Sequence, residues 1–281
     1  MSASTSDDHA LFTPTDDPSA WTPTEWSRGP WNPEHCHGGP VSAFLARAIE
    51  QIDDGSDTDW QVARLTVELL RPVLVDAPLR LTTEVERPGR KVSLVAASLT
   101  DVASGKEVAR VRGLRIRRTA IELPEHPVGD VDDMGEPGSG RVESLQWDDS
   151  DDEGIAYHRS SCTHRWVIGS FANAGPCRVW VRLDVPVVAD EAPSGLSRVA
   201  AAADFGNGVS GALPAAEITY INPDLTIHLA RPHTGRWVGM ASHSLYGANG
   251  VSSGAGWAES ALYDADGRIG RSVQSLILQP T

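Results

Sequence analysis

Apolar residues recur with the spacing of one helix face near the start of the chain. Positions i, i+3, i+4, i+7 and i+8 of this segment are apolar: Val41, Phe44, Leu45, Ala48 and Ile49. This periodicity predicts an amphipathic helix over residues 41–50. Pro40 fits its first turn, because the amide hydrogen that proline lacks has no helical partner there. Residues 193–213 contain a second predicted helix, LSRVAAAADFGNGVSGAL at 196–213, for which Ser194 offers an N-cap.

Strand patterns follow each predicted helix. Runs rich in Val, Leu and Thr, separated by turn signals, follow the first helix at 60–73, 79–87, 91–100 and 106–118. Similar runs follow the second helix at 217–231, 236–246, 254–263 and 269–279, and an entry strand precedes it at 179–186. One helix followed by four strands with tight turns predicts an antiparallel sheet covered by a helix. The fold class is therefore α+β, not a parallel βαβ fold.

The two halves also resemble each other in sequence. Residues 105–117 align without a gap on residues 267–279, and the turns before them differ in length by one residue. This alignment places Arg112 opposite Gln274. Upstream, the segment LTVELLRPV at 65–73 is similar in sequence to LTIHLARPH at 225–233. Two copies at this long period indicate a duplicated domain, not a solenoid.

We divide the chain into two domains joined by a linker. The N-terminal domain covers residues 20–119, the linker 120–156 and the C-terminal domain 157–281. The linker is dominated by Pro, Gly and acidic residues, which predict a partly mobile segment. Residues 1–19 are polar, acidic and Pro-containing and predict an arm.

Composition narrows the possible partners and location. The net charge of −14 leaves no basic excess, which argues against nucleic acid and anionic lipid as partners. Three cysteines do not form a disulfide framework, so a reducing cytoplasm is the expected location. The N-terminus lacks a signal-peptide pattern, and no segment approaches the roughly 20 apolar residues of a membrane span. We expect a cytoplasmic protein that does not insert into membranes.

Several segments, in their order and spacing, resemble the double hot-dog acyl-CoA thioesterases, which include the bacterial type II enzymes and their actinobacterial-type relatives. They are His37-Gly38-Gly39-Pro40, ELLRPV at 68–73, RPGRKVSLVAASL at 87–99, AAADFGNGVS at 201–210, INPDLTIHLARP at 221–232 and DADGRIGRSVQSLILQP at 264–280. The resemblance implies two tandem hot-dog domains, each an antiparallel sheet wrapped around a long helix. It also implies hydrolysis of an acyl-CoA to free acid and coenzyme A, no cofactor beyond the coenzyme A of the substrate, and a homodimer.

The resemblance further implies three catalytic positions. In the type II enzymes a water is held by an Asp on the second-domain helix, a Thr or Ser on the next strand and a Gln on the last strand. These positions fall on Asp204, Asn222 and Gln274, so an amide replaces the hydroxyl at position 222. A carboxylate among small apolar neighbours is costly unless it is hydrogen-bonded or functional. Asp204 is thus the candidate to orient or deprotonate water, and Gln274 and Asn222 can hold that water.

Thioester hydrolysis also needs donors for the developing oxyanion. The backbone amides of Gly38 and Gly39, at a helix N-terminus with no side chain in the way, suit this role. We place His37 beside them as a substrate-binding residue. Each candidate also fits a structural role: Asp204 as a helix cap, Gln274 as an ordinary polar partner, Asn222 as a turn residue, and the glycines as close-packing positions.

Other chemistries and functions fit the sequence less well. His35-Cys36-His37 lacks further spaced ligands, so we expect no metal. G-x-S-x-G occurs only at residues 250–254, between two predicted strands and not at the strand-to-helix turn of a nucleophile elbow, which disfavours a serine nucleophile. Two alternatives to a thioesterase stay open: a non-catalytic protein that binds acyl-CoA or another acyl ligand, and an enoyl-CoA hydratase-like enzyme.

Overall fold

The strands of the protein form one sheet in the computed structural model, which describes residues 9–125, 132–143, 154–171, 173–214 and 217–281. The first seven strands are β1 Phe12–Pro14, β2 Ala20–Pro23, β3 Trp60–Leu69, β4 Leu79–Arg87, β5 Val92–Asp101, β6 Glu107–Arg117 and β7 Arg141–Val142. The next seven are β8 Cys162–Ser170, β9 Asn173–Leu183, β10 Ile218–Ile221, β11 Asp224–Leu229, β12 Trp237–Leu245, β13 Ala255–Asp264 and β14 Gly267–Pro280. The helices are α1 Gly38–Glu50, α2 Gly195–Ala203 and α3 Gly206–Ser210.

The order of strands reflects an internal twofold. The sheet runs β1-β2-β4-β5-β6-β3-β11-β14-β13-β12-β9-β8-β7, and β10 pairs with β14. At the centre, antiparallel β3 and β11 join the halves with Thr66 opposite Thr226. The pairs Leu65 with Ile227 and Val67 with Leu225 flank it and are exchanged by the twofold. The predicted antiparallel sheet and its duplication are therefore observed, but the two halves share a single sheet.

Helices α1 and α2 pack against each other in antiparallel directions. Gly39 near the start of α1 faces Ala201 near the end of α2, and Ser197 near the start of α2 hydrogen-bonds the Ala43 carbonyl at 3.3 Å. The apolar stripe predicted over residues 41–50 is buried in the core. This arrangement brings the N-terminus of α1 to the C-terminus of α2. No helix of the described residues has the length and apolar character needed to cross a bilayer.

The second predicted helix is interrupted. The predicted continuous helix over 196–213 is wrong, because α2 ends at Ala203 and α3 begins only at Gly206. Gly206 and Gly208, which follow the break within α3, carry a low helix propensity and keep this helix short. The side chain of Asn207 in α3 donates to the Tyr220 carbonyl at 2.8 Å and ties α3 to the sheet. Asp204 consequently becomes the C-cap of α2 and not an interior helical residue.

The prediction of an N-terminal arm is also wrong for the part of it that the structure describes. Ala10, Leu11 and Phe12 are fully buried. β1 pairs with β2, and the amide of Phe12 donates to the Val187 carbonyl of the second half at 2.9 Å. Most residues of this segment are polar, but the short apolar cluster within it packs into the core.

Part of the predicted linker packs on the second-half sheet. Met134 lies in a buried cluster with Trp180 and Tyr263, and its carbonyl accepts from the Trp180 indole at 2.8 Å. β7, also within the predicted linker, pairs with β8. The remaining predicted mobile segments, 126–131 and 144–153, lie outside the described residues.

The register of β14 corrects the repeat alignment. Thr66 pairs with Arg112 on β6, whereas its counterpart Thr226 pairs with Val273 on β14. Gly113, not Arg112, is therefore the counterpart of Gln274. A slip of one residue moves a side chain to the opposite face of a sheet. Accordingly, Arg112 is exposed, whereas Gly113 and Gln274 both face the interior.

The hairpin that starts β14 carries a buried carboxylate. Both oxygens of Asp264 accept from the Arg231 guanidinium at 2.6 Å, and one accepts from the Thr234 amide at 3.0 Å. Burial alone would raise the pKa of Asp264, but hydrogen bonds from Arg231 and the backbone outweigh it and lower the pKa to about 2. Ionised Asp264 thus stabilises the fold above the ordinary Asp pKa, and this contribution is lost as the pH falls towards 2.

We expect Asp264→Asn to lower the free energy of unfolding by about 1–2 kcal/mol at neutral pH, after allowance for solvent screening of the ion pair. The difference from wild type should shrink as the pH falls from about 4 towards 2. Urea unfolding at pH 7 and at pH 3 measures it. A difference that stays constant over this range would show that the ionisation of Asp264 does not contribute to stability.

Candidate active site

A mostly apolar cavity of about 330 Å³ opens where the α1 N-terminus meets the α2 C-terminus. Its walls also include the end of β3, the break between β10 and β11, and the end of β14. Large apolar side chains that line it include Trp31, Leu69, Leu70, Val73, Phe171, Phe205, Ile221 and Ile277. Polar groups that line it include His35, His37, His158, Asp204, Asn207 and Asn222. A concave apolar site with a few convergent polar groups is the usual form of a small-molecule site.

Asp204 lies at the inner wall of this cavity with both carboxylate oxygens engaged. Its Oδ2 is 2.8 Å from Nδ1 of His37. Its Oδ1 accepts from Nδ2 of Asn222 at 2.8 Å and from Nε2 of Gln274 at 3.3 Å. The residue is buried. These donors compensate for the loss of water around the charge, and the positive end of the α1 dipole adds to them.

His37 is the N-cap of α1 and lies against the carboxylate. The Gly39 amide also lies 3.0 Å from Nδ1 of His37. A ring nitrogen carries either a proton or a lone pair, so Nδ1 cannot serve both partners at once. We assign the proton to Nδ1, because a hydrogen bond to a carboxylate is stronger than one from a neutral amide. In the neutral ring Nε2 then carries the lone pair.

Asn222 and Gln274 reach the carboxylate from two different strands. Asn222 lies where β10 and β11 separate, so the predicted continuous strand 217–231 is broken there. Pro223 follows it and has no amide hydrogen for a ladder. Gln274 is buried on β14, where Nε2 also donates to the Asp204 carbonyl at 3.1 Å and Oε1 accepts from the Asn207 amide at 3.0 Å. Asn222 lines the cavity, whereas Gln274 supports its wall from behind.

Gly38 and Gly39 occupy different environments. A Cβ at Gly38 would lie 2.7 Å from Oδ2 of Asp204, so only glycine lets the helix start approach the carboxylate. A Cβ at Gly39 would lie 2.8 Å from both the Ala201 carbonyl and the Tyr157 ring. Gly38 lines the cavity, whereas Gly39 faces the contact between α1 and α2.

Family models match both halves of this arrangement. The acyl-CoA thioesterase N-terminal domain matches residues 27–116, and the acyl-CoA thioesterase C-terminal domain matches residues 132–278. The chain belongs to the acyl-CoA thioesterase family. Among curated proteins, no sequence matches it.

Solved structures share the fold of this thioesterase-family chain at low sequence identity. A hot-dog fold protein of unknown function from Alicyclobacillus acidocaldarius is 15% identical, with 98% of this chain and 97% of that chain covered and a TM-score of 0.68. A putative thioesterase II from Thermobifida fusca YX is 16% identical, with 98% and 97% covered and a TM-score of 0.69. The acyl-CoA thioesterase II TesB2 of Mycobacterium marinum is 14% identical, with 95% and 94% covered and a TM-score of 0.63. The fold is therefore the double hot dog.

An aromatic layer that the sequence did not reveal packs behind the His37 ring of this family member. Tyr157 and Phe205 stack with centroids 5.3 Å apart, and both contact His37. Burial raises the pKa of Tyr157, which keeps its proton and donates to the Ala201 carbonyl at 2.9 Å. Burial, together with His158 and His37, lowers the pKa of His164 to about 3. His164 therefore stays neutral through the physiological range.

Cys36 also lines the cavity and carries a thiol, but it is not one of the predicted site residues. Burial, with a smaller contribution from Asp76, raises the pKa of its thiol. Because the thiolate is the reactive form, Cys36 is not a nucleophile at neutral pH. No group of three or more His, Cys, Asp or Glu side chains arranged to hold a metal occurs among the described residues.

Replacing Gln274 with Leu should destabilise the protein and loosen Asp204. The buried Asn207 amide would lose its acceptor, which costs about 1–3 kcal/mol of the free energy of unfolding. Urea unfolding measures this loss. Gln279→Leu, at an exposed position of the same strand, is the matched control and should change stability by less than about 0.5 kcal/mol. Equal effects of the two substitutions would contradict the buried role of Gln274.

Proposed function

We propose that this chain hydrolyses an acyl-CoA thioester with a water activated by His37 and Asp204. The contact of 2.8 Å between Nδ1 of His37 and Oδ2 of Asp204, at the wall of an apolar cavity, carries this proposal. A histidine held by a carboxylate is a frequent general base, because the carboxylate fixes the tautomer and stabilises the protonated ring. No cofactor beyond the coenzyme A of the substrate enters the proposal.

The proton acceptor in this proposal is Nε2 of His37. Both oxygens of Asp204 already accept from side chains of the protein, so a water bound directly to the carboxylate would have to displace one of these donors. Nε2 has no protein partner among the described residues, and His37 lines the cavity. Asp204 then acts as the positioning group for the ring, and Asn222 and Gln274 hold the carboxylate in place.

The reaction proceeds by attack of water on the thioester carbonyl carbon. The oxygen of water forms the new C–O bond while one of its protons moves to Nε2 of His37. The resulting tetrahedral intermediate collapses with cleavage of the C–S bond. The protonated ring returns the proton to the leaving thiolate, which gives the free acid and coenzyme A. One water is consumed and no redox step is needed.

The developing oxyanion faces the start of α1 in this scheme. The Gly38 amide lies in the first turn, where no helical carbonyl is available to it, and Gly38 lines the cavity. A helix N-terminus favours negative charge, and its amides are oriented before the reaction begins. Because Gly39 faces the contact between the helices, we assign it a packing role and propose the oxyanion role for Gly38.

The apolar wall of the cavity suits the acyl group. Leu69, Val73, Phe171 and Ile277 offer it no hydrogen-bond partner from their side chains, and Trp31 lies partly exposed at the rim. Burial of a methylene group contributes about 0.8 kcal/mol, so binding should strengthen with chain length until the cavity is filled. The proposed substrate is therefore an acyl-CoA with an apolar acyl group.

Coenzyme A release from purified protein tests the proposed function. Acyl-CoAs of increasing chain length are incubated with a thiol-detecting reagent, and an enoyl-CoA is followed by its absorbance in parallel. We expect thiol release from at least one acyl-CoA and its loss in His37→Gln. A change of enoyl-CoA absorbance without thiol release would instead identify a hydratase.

A non-catalytic acyl-ligand protein is the second candidate. The observation that favours it is that the NH₂ groups of Asn222 and Gln274 both donate to Asp204 and so are not directed at a water. Absence of thiol release at every chain length, with ligand binding that is the same in wild type and Asp204→Asn, would support this candidate and overturn hydrolysis. Activity that appears only in Asn222→Thr would show that the missing hydroxyl is the cause.

A further inference from the structure

A second groove, of about 460 Å³, lies on the outer face of the sheet across β3, β11 and β14. Basic side chains in its lining are Arg64, His228, Arg268 and Arg271. Leu114 and Ile116 add apolar surface. His228 pairs with Arg64 on one side and with Arg271 on the other, so the three side chains stand in one row across the strands. Directly paired residues on a sheet have Cβ atoms about 5 Å apart.

This groove is the twofold counterpart of the entrance to the apolar cavity. The internal twofold exchanges β3 with β11 and so relates Leu69 to Leu229 and Pro223 to Ala63. It also exchanges β14 with β6 and so relates Ile277 to Ile116. The first member of each pair lines the cavity, and the second lines the groove. The duplication has therefore preserved two related concave surfaces.

The groove lacks the polar groups of the proposed active site. The counterpart of Gln274 is Gly113, and the counterpart of Asn222 is Val62. A Cβ at Gly113 would lie 2.8 Å from the Ile49 side chain, so apolar packing fills this part of the first half. Hydrolytic chemistry of the kind proposed for Asp204 has no equivalent there.

Two basic positions of the groove have acidic counterparts in the other half. The residues that the twofold relates to Arg64 and His228 are the acidic Asp224 and Glu68. In the first half, Arg110, the counterpart of Arg271, is neutralised by Glu68. The concentration of arginines at this groove therefore stands out in a chain whose net charge is −14.

Two of these arginines have no carboxylate partner among the residues that the structure describes. Among the described residues, no ion pair joins Arg64 or Arg268 to a carboxylate, whereas Arg271 lies 3.6 Å from Glu259. Nε of Arg64 is buried and has no hydrogen-bond partner among the described residues. A guanidinium group with no carboxylate partner among the described residues favours an anionic ligand that would supply the counter-charge.

We propose that this groove binds a multiply charged phosphate group. Arginine guanidinium groups match phosphate oxygens with paired donors, and the row of basic side chains supplies several at once. The phosphate can belong to coenzyme A, to a nucleotide or to inorganic pyrophosphate. This inference does not depend on hydrolysis at His37 and Asp204.

Isothermal titration of the full chain at low ionic strength, with pyrophosphate, ADP and coenzyme A as probes, tests the groove. We expect binding that weakens as salt is added and that falls by roughly tenfold in Arg268→Ala, since one hydrogen bond to a charged group is removed. Arg64→Met, which keeps an apolar stem, should have a similar effect. Comparison of the three probes shows whether phosphate alone, the nucleotide or the whole cofactor is preferred.

The matched control is Arg112→Ala, an exposed arginine on the neighbouring strand that pairs with Glu86 and lies outside the groove. Its affinity for the probes should equal that of wild type. Absence of binding up to millimolar concentrations would overturn the proposal. Equal affinity in wild type, Arg268→Ala and Arg64→Met would also overturn it, because coenzyme A or phosphate would then be bound elsewhere. Arg268 is exposed, so its removal should not prevent folding.

Discussion

Asp204→Asn is expected to lower kcat for acyl-CoA hydrolysis by roughly 10³-fold, because the proton on Nδ1 of His37 would lose its carboxylate partner. The amide that replaces the carboxylate can present either NH₂ or oxygen to the ring, so the tautomer with the lone pair on Nε2 is no longer enforced. It also cannot stabilise the protonated ring that forms during attack. Steady-state thiol release at saturating acyl-CoA measures the loss.

The matched control for this substitution is Asp224→Asn. Asp224 lies two residues after Asn222 but outside the cavity lining, and its carboxylate accepts from the Ser275 amide at 2.6 Å. The control removes the same charge and should change kcat by less than about threefold, since it leaves the His37 contact intact. Comparable decreases of kcat in both variants would mean that removing any nearby negative charge lowers kcat, and that Asp204 does not act through His37.

His37→Gln is expected to lower kcat by roughly 10²–10³-fold, because the neutral ring is the base that accepts a proton from water. His164 does not take over this role, because burial and the nearby histidines lower its pKa to about 3 and make it a weak base. Steady-state thiol release at saturating acyl-CoA measures the loss.

His158 is the control for this second prediction, since it lines the same cavity. His158→Gln should change kcat by less than about threefold. Equal losses in the two variants, or a larger loss in His158→Gln, would assign the base to a group other than His37. Tyr157 and Cys36 also lie near the ring, but burial raises the pKa of both, so neither is ionised at neutral pH.

Strand and helix positions were predicted from the sequence where one face is buried and periodicity is strong. The stripe over residues 41–50 became α1, and the alternating runs of both halves became paired strands. The break after α2 was missed because the small apolar residues before Asp204 read as helix, and the two following glycines were not treated as a stop. The buried start of the chain was missed because three apolar residues, Ala10, Leu11 and Phe12, lie in a polar segment.

The candidate site shows a different limit of sequence reasoning. Asp204, Asn222 and Gln274 were placed by their resemblance to family positions, but their direct contact depends on how β11, β14 and α2 meet. The contact of His37 with Asp204 arises because α1 and α2 run antiparallel, and no local pattern encodes that direction. The sequence alignment assumed that the β5–β6 and β13–β14 hairpins differ in length by one residue, but they differ by more. The counterpart of Gln274 was therefore placed one residue away, on the opposite face of the sheet.

A double-mutant cycle of His37→Gln and Asp204→Asn tests most directly whether the two residues act as one catalytic unit. If Asp204 works through His37, kcat of the double variant should lie within about threefold of the slower single variant, because removing the second member of a unit costs little more. A fold-loss of kcat in the double variant equal to the product of the two single fold-losses would show that the two side chains act independently, and would contradict the proposed mechanism.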